Sequence, residues 1–141
     1  MSEREIVITR QFAAPRQKVF DALTQAKHLV RWMQPSNMSL VECEVDLRVG
    51  GSFRYVFARP GGRRLEVRGA YRKVDAPHGF AYTESYDFSP LQIQVTMELE
   101  GETLFRQTLV YATKEERDAD LDGVTSSAAE VYGNLERYLS Q

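Results

Sequence analysis

Residues 113–139, TKEERDADLDGVTSSAAEVYGNLERYL, decide the fold. Ala128, Val131, Tyr132, Leu135 and Leu139 recur at i, i+3, i+4, i+7 and i+11, which gathers them into one apolar stripe on a helix of several turns. Upstream, Thr113-Lys114-Glu115-Glu116 has the form of a capping box, in which the threonine oxygen accepts from an orphan amide and Glu116 reaches back. Asp118, Asp120 and Asp122 suit the positive end of the helix dipole. A helix patterned in this way needs an apolar surface to cover.

The preceding residues supply that surface. From Leu40 to Tyr111 five turn signals (Gly50-Gly51, Pro60-Gly61-Gly62, Ala76-Pro77-His78-Gly79, Ser89-Pro90 and Gly101) divide the chain into six predicted strands. Their spacing suits antiparallel hairpins, because parallel strands need longer crossovers. Nearer the start, Ile6, Ile8 and Phe12 alternate with Val7, Thr9 and Gln11 in a strand ending near Ala13. Pro15 opens a short helix carrying Val19, Phe20 and Leu23, and Thr24 is placed to cap a second, which carries Leu29, Val30, Trp32 and Met33 before Pro35. The predicted order is β-α-α-β-β-β-β-β-β-α in one α+β domain spanning 1–141, with the last helix packed on a seven-stranded antiparallel sheet.

Bulk properties exclude several classes. The 141 residues carry a formal net charge of -2, leaving no broad positive field for nucleic acid, and Arg59, Arg63 and Arg64 read as a solvated hairpin tip. Cys43 is the sole cysteine, so no internal disulfide is possible and a reducing compartment is expected. No apolar stretch is long enough for a bilayer and residues 1–5 are polar, so the expectation is a cytoplasmic monomer or homodimer without membrane insertion.

Local motifs add a resemblance. Thr9-Arg10, Ala14-Pro15-Arg16, Val19-Phe20-Asp21-Ala22-Leu23-Thr24 and His28-Leu29-Val30-Arg31-Trp32 begin it. Asp46-Leu47-Arg48-Val49-Gly50-Gly51, Gly69-Ala70-Tyr71 and Asp75-Ala76-Pro77 continue it, and Thr113 to Asp118 and Asn134 to Leu139 close it. In order and spacing these motifs resemble the START-like (SRPBCC) superfamily, in the branch similar to activators of the 90-kDa heat-shock protein ATPase. The resemblance implies a helix-grip fold, a curved sheet around the last helix, and an internal cavity for hydrophobic ligands. The chain departs from the family pattern at Met33, where a second tryptophan is common, and at Glu84, where an aromatic is common. The eukaryotic co-chaperone of this branch also carries an N-terminal chaperone-binding domain for which this length has no room, so a chaperone partner is kept only as an alternative.

Alternation selects the expected cavity lining. Phe53, Tyr55 and Phe57 share one strand face, as do Phe80, Tyr82, Glu84 and Tyr86, then Ile93, Val95, Met97 and Leu99, and a set holding Val67, Gly69 and Tyr71. From these, Phe53, Tyr55, Phe57, Tyr71, Tyr82, Glu84, Val95 and Met97 are assigned to the lining. Val131, Tyr132 and Leu135 face them from the helix, and Trp32 and Met33 close one end. Apolar stripes also fill ordinary cores. Tyrosines and a carboxylate on an inward face, however, need partners that a ligand or water provides. Glu84 is the sharpest case: inside, its pKa rises by desolvation unless Arg68 or Arg106 neutralises it. The leading expectation is therefore a binder of a small hydrophobic or amphipathic ligand. An enzyme of the cyclase, dehydratase or hydrolase type, using Tyr71, Tyr82 and Glu84, and a co-chaperone-like protein are the alternatives.

Three other signals lead to no expected site. Asp118, Asp120, Asp122 and Gly123 imitate the opening of a calcium loop, but its twelfth position is Ala129, with Glu130 one residue late. Cys43, His28 and His78 lack both the spacing of a zinc site and the look of a nucleophile with its base. Gly50-Gly51 and Gly61-Gly62 lack the strand-to-helix context of a phosphate loop. Neither metal nor cofactor is expected.

Overall fold

A computed structural model describes residues 3–35, 37–101 and 104–141. Its elements in chain order are β1 (Glu5–Gln11), α1 (Arg16–Thr24), α2 (Ala26–Trp32), β2 (Ser39–Val45), β3 (Ser52–Ala58), β4 (Arg64–Asp75), β5 (Gly79–Tyr86), β6 (Gln92–Glu100), β7 (Leu104–Val110) and α3 (Lys114–Leu139). The seven strands form one curved antiparallel sheet in the order β1-β7-β6-β5-β4-β3-β2. Strands β2 to β7 are joined by successive hairpins, and β1 closes onto β7 with Glu5 opposite Val110 and Gln11 opposite Leu104. In the β3–β4 hairpin Gly61 and Gly62 both hold positive φ, 94° and 91°, a conformation glycine adopts without strain.

Helix ends differ in detail from the sequence reading. Pro15 is the N-cap of α1, extended at ψ 148°, and the helix itself begins at Arg16. Thr24 does not cap α2. It is the last residue of α1, where its hydroxyl donates to the Phe20 carbonyl at 2.8 Å, and Gln25 precedes α2 without a side-chain cap. Thr back-bonding to the carbonyl four residues earlier competes with capping and wins here. At α3 the Thr113 oxygen accepts from the Glu116 amide at 3.1 Å, whereas Glu116 Oε1 is buried without a partner among the described residues, so the box is half formed.

Two irregularities bend the sheet. The β2–β3 register shifts between Leu40 and Glu42, and the β4–β5 register between Tyr71 and Lys73. Strict alternation would put Val41 on one face with Cys43 and Val45, but the first shift turns it outward to 44% exposure. A further close approach lies at Gly69, where a Cβ would collide with the Phe53 ring laid across it.

Along α3 the packing changes. Tyr132 meets the rings of Phe105 and Trp32 at 4.9 and 6.2 Å, and Leu135 is fully buried. The helix end is tied to α1 by Lys18 Nζ donating to the Leu139 carbonyl at 2.8 Å, and to α2 by the 2.6 Å contact of His28 Nδ1 with the Tyr138 hydroxyl. Further back, Leu121, Val124 and Val131 are only half buried. Beneath Val124 and Val131 the interior is hollow.

Candidate functional site

The hollow is a cavity of about 280 Å³ between the sheet and the middle of α3. Of the residues picked by alternation, Trp32, Met33, Tyr55, Phe57, Tyr82, Glu84, Met97, Val131 and Tyr132 line it. Phe53, Tyr71, Val95 and Leu135 do not. Phe53 stacks on Tyr55 at 4.3 Å and meets Tyr82 edge-on at 4.9 Å, while Tyr71 packs on Phe53 and Phe80 at 5.7 and 6.2 Å. Val95 and Leu135 have no exposed surface. All four face inward, but into the filled part of the core: alternation gives the face of a strand and not which stretch of that face is covered.

The structure adds residues to the lining. Val67, Phe80 and Tyr86 belong to the inward sets already recognised, and Gln107 and Leu109 extend the same alternation onto β7. Val124 and Ala128 continue the helix stripe. Leu65 extends the Val67, Gly69 and Tyr71 alternation on β4, whereas Met38 and Phe88 come from loops whose direction no periodicity fixes.

Along β5 the cavity changes character. At the Phe80 end it is apolar, with Leu23 and Met97 beside it. At the other end stands Glu84, the one lining residue of charged type among the described residues. The Tyr86 hydroxyl donates to Glu84 Oε2 at 2.5 Å. Burial pushes the Glu84 carboxyl up to about 7, against the donation from Tyr86, and the neighbouring Asp120 carboxylate adds to the rise. Neither candidate cation intervenes, because Arg68 pairs with Glu66 and Arg106 with Glu100 on the outer face. Asp120 itself accepts from the Tyr111 hydroxyl at 2.5 Å.

The other polar groups of the lining are tyrosines, Gln107 and Ser127. The Tyr132 hydroxyl donates to Gln107 Oε1 at 2.7 Å. The Tyr55 and Tyr82 hydroxyls, both in the lining, make no hydrogen bond to any described residue, and burial raises both well above the ordinary phenol range. The Trp32 indole N–H is used on the Ala22 carbonyl at 2.8 Å, so its contribution to the cavity is apolar. Such a lining accommodates hydrocarbon along most of its length and offers hydrogen bonds at one end.

The remaining motifs lie elsewhere. Burial raises the Cys43 thiol to about 11, the wrong direction for a nucleophile. His28 is held by Tyr138 and His78 lies 3.0 Å from an Arg16 nitrogen, so the three do not form a catalytic group. Asp118, Asp120, Asp122 and Gly123 are helical residues of α3, not a loop able to wrap a cation.

The model of one family, described as activator of Hsp90 ATPase homolog 1-like protein, matches residues 13–140. The chain belongs to this family. Within the activator-like family it has the START-like, helix-grip architecture, a curved sheet closed by the C-terminal helix. A crystal structure from Rhodobacter sphaeroides is 29% identical, with a TM-score of 0.91 over 99% of this chain and 94% of that one. A solution structure from Staphylococcus epidermidis is 26% identical, with a TM-score of 0.87 over 100% and 92%. A protein from Nitrosomonas europaea, 23% identical, shares the fold at a TM-score of 0.88 over 99% and 96%. No curated protein matches this activator-like chain. Among the described residues no helix is long and apolar enough to cross a membrane.

Proposed function

We propose that this protein binds a small apolar or amphipathic molecule in the cavity beneath α3. The observation that carries the reading is the combination of an apolar hollow of about 280 Å³ with tyrosine hydroxyls and a carboxyl that the described protein groups leave partly unsatisfied. A cavity of this kind, near the lower end of the roughly 300–1,000 Å³ typical of ligand pockets, stabilises a ligand mainly through apolar burial. The test uses Trp32, the only tryptophan, which lies in the lining. An apolar dye is expected to change Trp32 emission and to bind the protein stoichiometrically. Ala128→Phe, which puts a ring into the cavity from α3, is expected to weaken that binding at least tenfold while circular dichroism stays unchanged. Dye binding indifferent to the added ring overturns the reading, as does absence of binding.

A second reading, acid–base catalysis in the same cavity, has one observation in its favour: a carboxyl held near neutral pH and hydrogen-bonded to a tyrosine is suited to proton transfer. Turnover of a candidate substrate with a bell-shaped pH profile, lost in Glu84→Gln, is the result that would establish it.

A further inference from the structure

The lining is chemically one-sided. Glu84 projects into an aromatic and aliphatic hollow whose described residues include no lysine, arginine or histidine. The groups around it come from several elements: Tyr82 and Tyr86 from β5, Tyr55 from β3, Tyr132 and Asp120 from α3, and Tyr111 after β7. Every one of them is a phenol or an acid. The two arginines nearest by sequence reasoning are used on Glu66 and Glu100. An anionic ligand head would therefore meet a carboxyl with no compensating cation, while a cation would meet a carboxylate and the negative faces of aromatic rings.

Resting on the ligand-binding reading above, we propose that the cavity selects an apolar molecule ending in a protonated amine. The ammonium sits against Glu84 among the rings of Tyr55, Tyr82 and Tyr86, and the hydrocarbon runs toward Leu23, Phe80 and Met97. Three features converge. Glu84 Oε2 already receives one hydrogen bond from Tyr86, which leaves its other oxygen for the ligand. Asp120 deepens the negative potential at that end without lining the cavity. The opposite end is apolar, which fixes the orientation.

Octylamine, 1-octanol and octanoic acid share one chain length and differ at the head group, and calorimetry on the purified protein measures all three at pH 6 and pH 8. At pH 8, where the Glu84 carboxyl is ionised, octylamine is expected to bind about 10- to 100-fold more tightly than 1-octanol. The preference is expected to narrow at pH 6, as the carboxyl gains its proton, and to vanish in Glu84→Gln. Circular dichroism and retained dye binding show that this variant is folded, and the wild-type pH comparison provides the same test without mutation. Equal binding of the three, tighter binding of octanoic acid, or an amine preference that survives Glu84→Gln overturns this inference. If the dye binds and the amine has no advantage, the amine assignment fails alone; if neither the dye nor any octyl compound binds, the ligand-binding reading fails with it.

Discussion

The two halves of α3 carry the same stripe and meet different surroundings. From Tyr132 to Leu139 the helix is gripped by Phe105, Trp32, Lys18 and His28, and Leu135 and Leu139 disappear into the core, with Tyr132 at its boundary with the cavity. From Leu121 to Val131 it runs past the cavity, which Val124, Ala128 and Val131 line; Leu121, Val124 and Val131 remain half buried, Ala128 is buried and Ala129 is exposed. The half beside the cavity also holds Gly123 and the run Thr125-Ser126-Ser127, weak helix formers, with the Thr125 hydroxyl turned back to the Leu121 carbonyl at 2.7 Å. Close packing is concentrated in one half of the element, and the cavity lies mainly beneath the other.

The sharpest way to break this contrast is truncation. Leu135→Ala is expected to cost about 2–5 kcal/mol in urea unfolding, because a close-packed site is left empty. Val124→Ala, bordering space that is already empty, is expected to cost less than about 1 kcal/mol. Equal losses would remove the distinction between the halves.

The next effect in size is a pH dependence at the hollow. The Glu84 carboxyl is raised in the folded state from 4.5 to about 7, so folding binds a proton more tightly than the unfolded chain does. Its stabilising contribution is present in full below about 4.5 and is lost as pH rises through about 7, amounting to on the order of 3 kcal/mol. Unfolding measured from pH 4 to 8 in wild type and Glu84→Gln checks it: the difference between the two is expected to grow in favour of the variant as pH rises, and a constant difference would mean the carboxyl is well solvated.

Smaller effects refine the helix itself. Thr113→Ala is expected to lower stability by about 1 kcal/mol through loss of the cap on the Glu116 amide. Gly123→Ala has the opposite sign, a gain of up to about 1 kcal/mol, since no heavy atom lies within 4 Å of the added methyl and the position is helical. Thermal melts separate the two directions.

Period-two and period-3.6 patterns carried most of the architecture, since each element buries one face and turn residues mark the breaks. The Thr113 cap, the α3 stripe and the meander could all be read from the residues. Less legible was whatever depends on two elements at once. Val41 is displaced by a bulge that only the β2–β3 register reveals, and Thr24 chooses between two local hydrogen bonds of similar worth. The site shows the same limit. Alternation placed Tyr82 and Tyr55 inward and left the side of Glu84 open, and the division between lining and core, which separates Tyr55 from Phe53 and Tyr132 from Leu135, is set by where α3 stands off the sheet.

That division is held in place at one point by Gly69 and Phe53. Because no side chain fits beneath it, the Phe53 ring lies flat over Gly69, between Tyr55 and Tyr82, and acts as a partition behind the cavity wall. The capacity of the chamber is thus adjustable from outside its own surface. A smaller residue at 53 would lengthen the chamber toward Tyr71 while Glu84 and its neighbours kept their places, so one substitution behind the wall would change the size of the hollow without changing its polar end.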